Sequence, residues 1–209
     1  MSVCHVFGAG EFSPKKPEIN EGDLIIACDG GLNNLLKLNL SPDLIIGDFD
    51  SLSYTPDGEN VIKLPVEKDY TDVGAAIEYG LKQNFREFRL YCCTGGRPSH
   101  TLANIQLIAG LAEKGNRAFL YGEENVTALH CGSLVFENGE GTVSVFASSP
   151  SLGVNLSGFK YPLDNAVLSP DFPLGVSNEI VDNKAIVTVK NGTLIVFYPN
   201  KLSEPTFRK

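Results

Sequence analysis

Five short apolar runs in the N-terminal part of the chain constrain its fold more than any other feature. They are continuously apolar rather than alternating, which is typical of strands that are covered on both faces. A glycine, or an aspartate or threonine next to a glycine, follows most of them. The runs span residues 3–7, 24–28, 44–46, 88–93 and 118–121.

Helical patterns lie between these runs. Apolar residues repeat at helical spacing over residues 73–81, directly after Thr71, which is a good N-cap residue. A second pattern covers residues 101–114 and ends at Gly115. Strands that alternate with helices predict an α/β fold with a mostly parallel sheet and flanking helices. Ligands of such sheets bind at the carboxyl ends of the strands.

The pattern changes after about residue 123, where short β-prone runs are separated by turn residues. Asn138-Gly139 and Asn191-Gly192 are typical hairpin signals. We therefore expect an α/β domain over residues 1–123 and an antiparallel β-sandwich or barrel over residues 124–209, with the sandwich preferred. The runs of this second part span residues 126–129, 134–136, 142–146, 185–189 and 194–198.

Composition narrows the class of protein. Hydrophobic residues make up 43% of the 209 residues, and the formal net charge is −8. No cluster of basic residues is present, so nucleic acid is not an expected partner. No secretion signal and no bilayer-spanning run is evident, so we expect a cytoplasmic protein without a membrane partner. The five cysteines have no zinc-ligand spacing and are interpreted as small buried hydrophobic residues.

Two aspartates, Asp48 and Asp50, follow the third apolar run and Gly47. If the strand continued, side chains at i and i+2 would point to one side of the chain. Two adjacent carboxylates repel each other unless a cation neutralises them, and Mg²⁺ prefers such oxygen ligands. A solvated turn after a strand explains the same residues, so this motif alone leaves both interpretations open.

Gly95-Gly96-Arg97 precedes the second helical pattern. Glycines let backbone N–H groups approach an anion, a helix N-terminus attracts it, and Arg97 could bind phosphate oxygens. A tight turn with Ser99 as N-cap is the structural alternative. His100 is a candidate phosphate neighbour because of its position, whereas His5 and His130 are interpreted as structural.

Asp72 lies in the first turn of the earlier helical pattern. An acidic residue there stabilises the helix dipole by roughly 0.3–1 kcal/mol, which is a sufficient structural reason for it. Its functional interpretation is a third carboxylate for the metal of Asp48 and Asp50. Three carboxylates suit one or two magnesium ions that also carry substrate phosphates.

Taken together, the motifs resemble those of the thiamine pyrophosphokinase family. The similar segments cover most of the chain in the family's order. They are Asp29-Gly30-Gly31-Leu32-Asn33, Gly47-Asp48-Phe49-Asp50-Ser51, Lys68-Asp69-Tyr70-Thr71-Asp72, Gly95-Gly96-Arg97 with His100-Thr101-Leu102-Ala103-Asn104, Lys160-Tyr161-Pro162-Leu163 and Gly175-Val176-Ser177-Asn178-Glu179.

The resemblance implies an enzyme that transfers the pyrophosphoryl group of ATP to thiamine. It further implies a catalytic N-terminal domain, a C-terminal domain that binds thiamine, and a homodimer. By position, Asp48, Asp50 and Asp72 would bind Mg²⁺, and Ser177 and Asn178 would contact thiamine, with Asp72 also near the substrate. The matched segments would bind ATP through Asp29, Gly30, Gly31, Asn33, Lys68, Gly95, Gly96, Arg97 and His100.

This chain departs from the family's motifs at three positions. Ser99 replaces an aspartate, Gly74 a glutamate and Asn34 a common arginine. Two other hypotheses remain open. Strand-Asp-x-Asp is also the nucleophile motif of haloacid-dehalogenase phosphatases, in which Asp48 would form an aspartyl-phosphate. The departures also leave room for a non-catalytic sensor of thiamine or nucleotide.

Overall fold

The computed structural model of the protein describes residues 2–50, 52, 54–67 and 69–208. The chain divides into two compact units. The first comprises Met1–Leu107 and Asn116–Gly122, and the second comprises Ile108–Gly115 and Glu123–Lys209. Among the described residues, no helix combines the length and the apolar character that crossing a membrane requires.

The first unit contains a sheet of six parallel strands in the order β6-β5-β1-β2-β3-β4. This confirms the predicted parallel α/β fold. The sequence pattern did not reveal β4, because this edge strand is short and only partly buried. The strands are β1 (Val3–Phe7), β2 (Leu24–Cys28), β3 (Leu44–Gly47), β4 (Val61–Lys63), β5 (Glu87–Tyr91) and β6 (Arg117–Leu120).

Three helices follow strands of this sheet in the chain: α1 (Gly31–Lys37), α2 (Asp72–Lys82) and α3 (Pro98–Glu113), of which the last part of α3 belongs to the second unit. Thr71 caps α2 as predicted, since its hydroxyl accepts a hydrogen bond from the N–H of Gly74 at 3.1 Å. The helix α3 begins at Pro98, earlier than the predicted 101, because proline suits the first position of a helix. Ser99 therefore lies in the first turn rather than at the N-cap.

The strand order reverses at β1. From β1 the chain proceeds through β2 and β3 to β4 on one side, whereas β5 and β6 lie on the other. Loops that leave adjacent strands in opposite directions open a crevice at their carboxyl ends, and ligands of doubly wound folds bind there. The topology therefore predicts a binding site beyond the carboxyl ends of β1 and β5.

The second unit is an antiparallel sandwich built on two long strands that pair along almost their whole length, which confirms the predicted β-sandwich. The first part of β12 also pairs with β9 and its last part with β8. One sheet of the sandwich contains β9 and the other contains β8, and β12 belongs to both. Because β7 pairs with β12 along almost its whole length, it belongs to both sheets as well. The strands are β7 (Glu124–Glu137), β8 (Thr142–Ala147), β9 (Ser151–Ser157), β10 (Leu163–Leu168), β11 (Gly175–Glu179), β12 (Lys184–Pro199) and β13 (Thr206–Arg208).

Both predicted Asn-Gly hairpins are wrong. Asn191-Gly192 lies inside β12, where the register with β7 shifts between Val189 and Thr193. The apolar runs on either side pair with the same neighbour, so the extra residues form a bulge instead of reversing the chain. Asn138-Gly139 connects β7 to β8, but β8 pairs with β11 and β12.

The cysteines agree with the buried interpretation at four positions. Cys4, Cys28, Cys92 and Cys93 are buried, and all five cysteines are free thiols. Cys131 is the exception, because it is exposed on β7. The prediction was wrong there because Cys131 adopts a left-handed backbone conformation, with φ of 46°, opposite the bulge of β12.

His5 on β1 is fully buried beside the Asp23 carboxylate, with 3.4 Å between Nε2 and Oδ2. Burial lowers the pKa of His5 even though Asp23 opposes this shift. The Asp23 carboxylate accepts hydrogen bonds from the N–H groups of Val3 and Asn20, at 2.7 Å and 2.8 Å. Burial alone would raise the pKa of Asp23, but these hydrogen bonds outweigh it and lower the pKa.

Substitution of Gly192 tests the bulge. Gly192 has φ of 111°, and an added Cβ would lie 2.5 Å from Ser151 Oγ and 2.9 Å from the Pro150 carbonyl oxygen. We expect Gly192→Ala to lower the free energy of unfolding by at least about 2 kcal/mol. Gly110→Ala is the matched control, because Gly110 lies within α3 with nothing near its Cβ position. The control should stabilise the protein by about 0.5–1 kcal/mol in urea unfolding. Equal effects of the two variants would contradict the assignment of the bulge.

The pH dependence of stability tests His5. The unfolded chain protonates this histidine as the pH falls through about 6.5, whereas the folded state resists protonation. Stability should therefore fall between pH 7 and pH 5, by up to about 1.4 kcal/mol per pH unit from this residue. Asp23 contributes only below about pH 4, because its unfolded pKa is near 3.9. His5→Gln should flatten the decline, and parallel unfolding curves of variant and wild type would contradict the prediction.

Candidate functional site

A cleft of about 520 Å³ lies at the carboxyl ends of the parallel strands in the first unit. It includes the ends of β1, β2, β3 and β5 and the beginnings of α2 and α3. This is the crevice that the strand order predicts. Its lining residues are Gly8, Ala9, Gly10, Cys28, Asp29, Asp48, Asp50, Val66, Tyr70, Thr71, Asp72, Val73, Cys92, Cys93, Gly95, Gly96, Arg97, His100 and Asn104.

Three carboxylates meet in this cleft. Asp29, Asp48 and Asp50 each offer one oxygen, and these oxygens lie within 4.8 Å of one another. Asp29 is buried, Asp48 is half-buried and Asp50 is exposed. Carboxylate oxygens at such separations can bind one hard divalent cation, which would remove their mutual repulsion.

The local backbone that presents Asp48 and Asp50 differs from the predicted extended strand. The strand β3 ends at Gly47, and Phe49 is buried in a left-handed conformation with φ of 67°. The N–H of Asp50 donates to Oδ1 of Asp48 at 3.3 Å. A tight turn anchored by Phe49 therefore brings the two carboxylates together, rather than the alternation of a strand.

Asp29 joins this pair because the ends of β2 and β3 approach each other closely. An added Cβ on Gly47 would lie 3.0 Å from Asp29 Cβ, which is a tight contact, so glycine at this position lets the two strand ends lie close together. The buried Oδ1 of Asp29 has no hydrogen-bond partner within the described residues. A buried carboxylate oxygen without a partner is costly, and a bound cation would satisfy it. The donor set therefore fits a hard cation.

Asp72, the third predicted metal ligand, lies outside the close group of three carboxylates, and its metal role stays a prediction. It lines the same cleft from the first turn of α2, but among the described residues the close carboxylate group consists of Asp29, Asp48 and Asp50. The sequence motifs placed Asp29 among the ATP-binding residues and did not predict that it joins this group of carboxylates. The glycine at position 47 was the available signal, because only the close approach of the two strands brings Asp29 into the group.

The glycine-rich turn before α3 forms another wall of the cleft. Gly95 and Gly96 adopt left-handed conformations with φ of 74° and 62°. Arg97 and His100 are exposed, and Nη2 of Arg97 lies 3.5 Å from Nδ1 of His100. The helix start and the Arg97 guanidinium therefore bring positive charge into the cleft that the three carboxylates line, and phosphate binding there stays a prediction.

Other predicted nucleotide-binding residues do not line the cleft. Gly30, Gly31 and Asn33 belong to the start of α1 and are absent from its lining. An added Cβ on Gly31 would lie 2.1 Å from the Phe7 carbonyl oxygen, which gives this glycine a packing role. Lys68 is outside the described residues.

Three buried thiols line the base of the cleft. Burial raises the pKa of Cys93 to about 12 and also raises those of Cys28 and Cys92. The Cys28 thiol donates to the backbone carbonyl of Asp72 at 3.6 Å. These thiols therefore stay protonated at neutral pH and serve as small apolar groups rather than as nucleophiles.

The predicted thiamine contacts lie on β11 in the second unit. Asn178 is buried, and its side-chain amide accepts from the Tyr161 N–H at 3.0 Å and donates to the Tyr161 carbonyl at 2.7 Å. Ser177 is exposed, with φ of 56°. This pair of hydrogen bonds fixes the backbone of Tyr161, whose residue is 62% exposed. Tyr161 belongs to a motif that the sequence singled out, but it was not among the predicted site residues.

Two protein-family models match the chain. The catalytic domain of thiamin pyrophosphokinase matches residues 16–120, and the vitamin B1 binding domain of thiamin pyrophosphokinase matches residues 134–194. The first match covers the strand ends that carry the three carboxylates. The second includes Tyr161, Ser177 and Asn178.

Individual proteins agree with these matches. The chain is 28% identical to thiamine pyrophosphokinase of Bacillus subtilis over 187 residues, which is 85% of this chain and 87% of the relative. The crystal structure of the Bacillus subtilis enzyme superposes with a TM-score of 0.82 at 24% identity, over 96% of this chain and 100% of that one. Thiamin pyrophosphokinase from Geobacillus thermodenitrificans gives a TM-score of 0.80 at 25% identity, over 95% and 98% of the two chains. The chain therefore belongs to the thiamine pyrophosphokinase family.

Proposed function

We propose that this protein transfers the pyrophosphoryl group of ATP to the hydroxyl group of thiamine, giving thiamine diphosphate and AMP. The observation that carries the proposal is that the group of three carboxylates and the Gly95-Gly96-Arg97 turn line the same cleft. Acidic groups that bind a metal and basic groups that bind phosphate are what the handling of a triphosphate requires. Membership in the family supports the same reaction.

Magnesium is the expected cofactor, because hard oxygen donors suit it and it accompanies nucleotide phosphates. Asp29, Asp48 and Asp50 would hold it, and Asp72, which lines the same cleft, keeps its predicted role as a further carboxylate for the metal. When bound, the metal neutralises negative charge on the phosphates. This set revises the sequence-based one by adding Asp29.

The side chains of the cleft would position the reactants. Arg97 and the N–H groups at the start of α3 would bind phosphate oxygens. The thiamine hydroxyl then attacks the β-phosphorus in line with the departing AMP, which requires alignment and charge neutralisation rather than a protein nucleophile. Asp72 is the candidate acceptor of the hydroxyl proton, because it lines the cleft from the first turn of α2.

Thiamine would bind at Tyr161 and Ser177. The exposed ring of Tyr161 offers an aromatic face to a cationic ligand. Asn178 would act as a positioning residue, because both ends of its amide bind the backbone of Tyr161. This assigns Asn178 an indirect role where the sequence motif suggested direct contact.

The protein would act as a homodimer in the cytoplasm. Large apolar side chains are exposed in and next to β10 and β11 of the second unit, which suits a surface that a second copy covers. The five free thiols suit a reducing compartment. The exposed apolar residues are Val167, Phe172, Leu174 and Val176.

Product analysis distinguishes this function from the two other hypotheses. The protein is incubated with ATP, magnesium and thiamine, and the nucleotide products are separated. Formation of AMP only when thiamine is present supports the pyrophosphokinase. Orthophosphate released from a phosphoester would support the phosphatase with Asp48 as nucleophile, and binding without turnover would support the sensor.

Replacement of one carboxylate tests the metal-binding group. Asp50→Asn keeps the side-chain volume but removes a negative charge, so we expect AMP formation to fall by at least about 100-fold while the fold is kept. Asp57→Asn, at an exposed aspartate outside the cleft, should keep full activity. Thermal unfolding monitors the fold of both variants. Wild-type turnover by Asp50→Asn would contradict the assignment.

Substitution at Tyr161 tests the thiamine site. Tyr161→Ala removes the ring and should raise the KM for thiamine by about tenfold, because a cation–π contact is worth about 0.5–2 kcal/mol. Tyr161→Phe keeps the ring and should stay close to wild type. The KM for ATP should not change in either variant. An unchanged KM for thiamine in Tyr161→Ala would exclude the proposed contact.

A further inference from the structure

The loop Gly8-Ala9-Gly10 lines the cleft next to the turn that carries Arg97. It directly follows β1, at the point where the strand order reverses. It precedes the residues that the catalytic family model matches. None of the motifs that identify the family includes it, so its position in the cleft is unexplained by them.

The backbone N–H and carbonyl groups of Gly8 and Gly10 all form hydrogen bonds within the protein. The N–H groups of Gly8 and Gly10 donate to the carbonyls of Tyr91 and Cys92, at 2.9 Å and 2.7 Å. Their carbonyls both accept from Nδ2 of Asn34, at 3.1 Å each.

The N–H of Ala9, between these glycines, differs from theirs. Within the described part of the chain it has no protein acceptor, and Ala9 is exposed. One backbone donor is therefore left over in the lining of the cleft.

Side chains at either glycine would destroy this arrangement. An added Cβ on Gly8 would lie 2.7 Å from Cys93 Sγ and 2.9 Å from the Cys92 carbonyl oxygen. An added Cβ on Gly10 would lie 2.4 Å from the carbonyl oxygen of Thr94. The glycines thus let the loop pack directly on the segment after β5, which fixes Ala9 in the lining of the cleft.

Asn34 is the residue that fixes the loop from the other side. It is buried in α1, with 6% of its surface exposed, and its Oδ1 accepts from Lys37 Nζ at 3.4 Å. The Nδ2 group of Asn34 therefore bridges the carbonyls of Gly8 and Gly10. Asn34 stands where the family commonly has an arginine. The contact between this side chain and the loop is therefore a feature of this chain.

We propose that Gly8-Ala9-Gly10 is a phosphate-binding loop in which the Ala9 N–H donates to an oxygen of the nucleotide's phosphate chain, and that Asn34 is its positioning residue. The proposal rests on the proposed function in one respect, namely that a nucleoside triphosphate occupies the cleft. A backbone donor next to a helix start and Arg97 provides a further directed contact to a phosphate oxygen.

Nuclear magnetic resonance of the wild-type protein tests the contact directly. The protein is labelled with ¹⁵N-alanine, and the Ala9 signal is identified by its loss in Ala9→Gly. On titration with magnesium tripolyphosphate, the Ala9 amide proton should shift downfield, whereas the amide of Ala166 in β10 should not move. A saturating titration that leaves Ala9 unmoved, or the absence of any binding, would overturn the proposal.

Variants of Asn34 test the positioning role. Asn34→Asp keeps the size of the side chain but removes both donors, and we expect the Kd of magnesium tripolyphosphate to rise by about tenfold. The Kd of adenosine, which has no phosphate, should not change. Leu36→Ala, on the exposed side of α1, is the control and should bind both as the wild type does. Equal Kd values for tripolyphosphate in Asn34→Asp and wild type would contradict the role.

The outcomes separate this inference from the proposed reaction. If tripolyphosphate shifts the Ala9 amide but no AMP forms from ATP and thiamine, the loop binds phosphate and the proposed function fails. If AMP forms but Ala9 does not respond, the function stands and the loop has only a packing role. Should Asn34→Asp not fold, the wild-type titration still decides the question.

Discussion

The close approach of backbone segments at the carboxyl ends of the parallel strands is the constraint on which the whole site depends. Gly47 lets the end of β3 lie against Asp29, and Gly31 lets α1 begin against the end of β1. A Cβ atom would clash with the Phe7 carbonyl oxygen at Gly31 and would make a tight contact with Asp29 at Gly47. Because the strand ends converge so tightly, acidic side chains from two strands reach the same small volume.

The convergence of the strand ends places negative charges close together, and a bound cation would reduce their repulsion. Three carboxylates within 4.8 Å of one another repel, and one of them carries a buried oxygen without a partner. Any cation that binds the folded state alone relieves this repulsion and stabilises the fold by mass action. The repulsion within this group of carboxylates therefore favours the binding of a divalent cation, as the proposed function requires.

The sequence predicted those features that depend on local pattern. Continuously apolar runs predicted the parallel strands, and Thr71 predicted the start of α2, because both reflect short-range preferences. The sequence did not predict features that depend on contacts between segments far apart in the chain. Asn191-Gly192 has the composition of a hairpin but forms a bulge because of its pairing with β7. Asp29 could be assigned to the carboxylate group only once the contact with Gly47 was known.

The two long strands of the second unit have a consequence for how that unit loses its structure. Because β7 and β12 each run through both sheets, neither sheet can separate without breaking hydrogen bonds that the other also needs. Amide protons throughout the sandwich should then exchange with solvent through one common opening event rather than sheet by sheet. The surface that carries Tyr161 would then open only as rarely as the whole sandwich does.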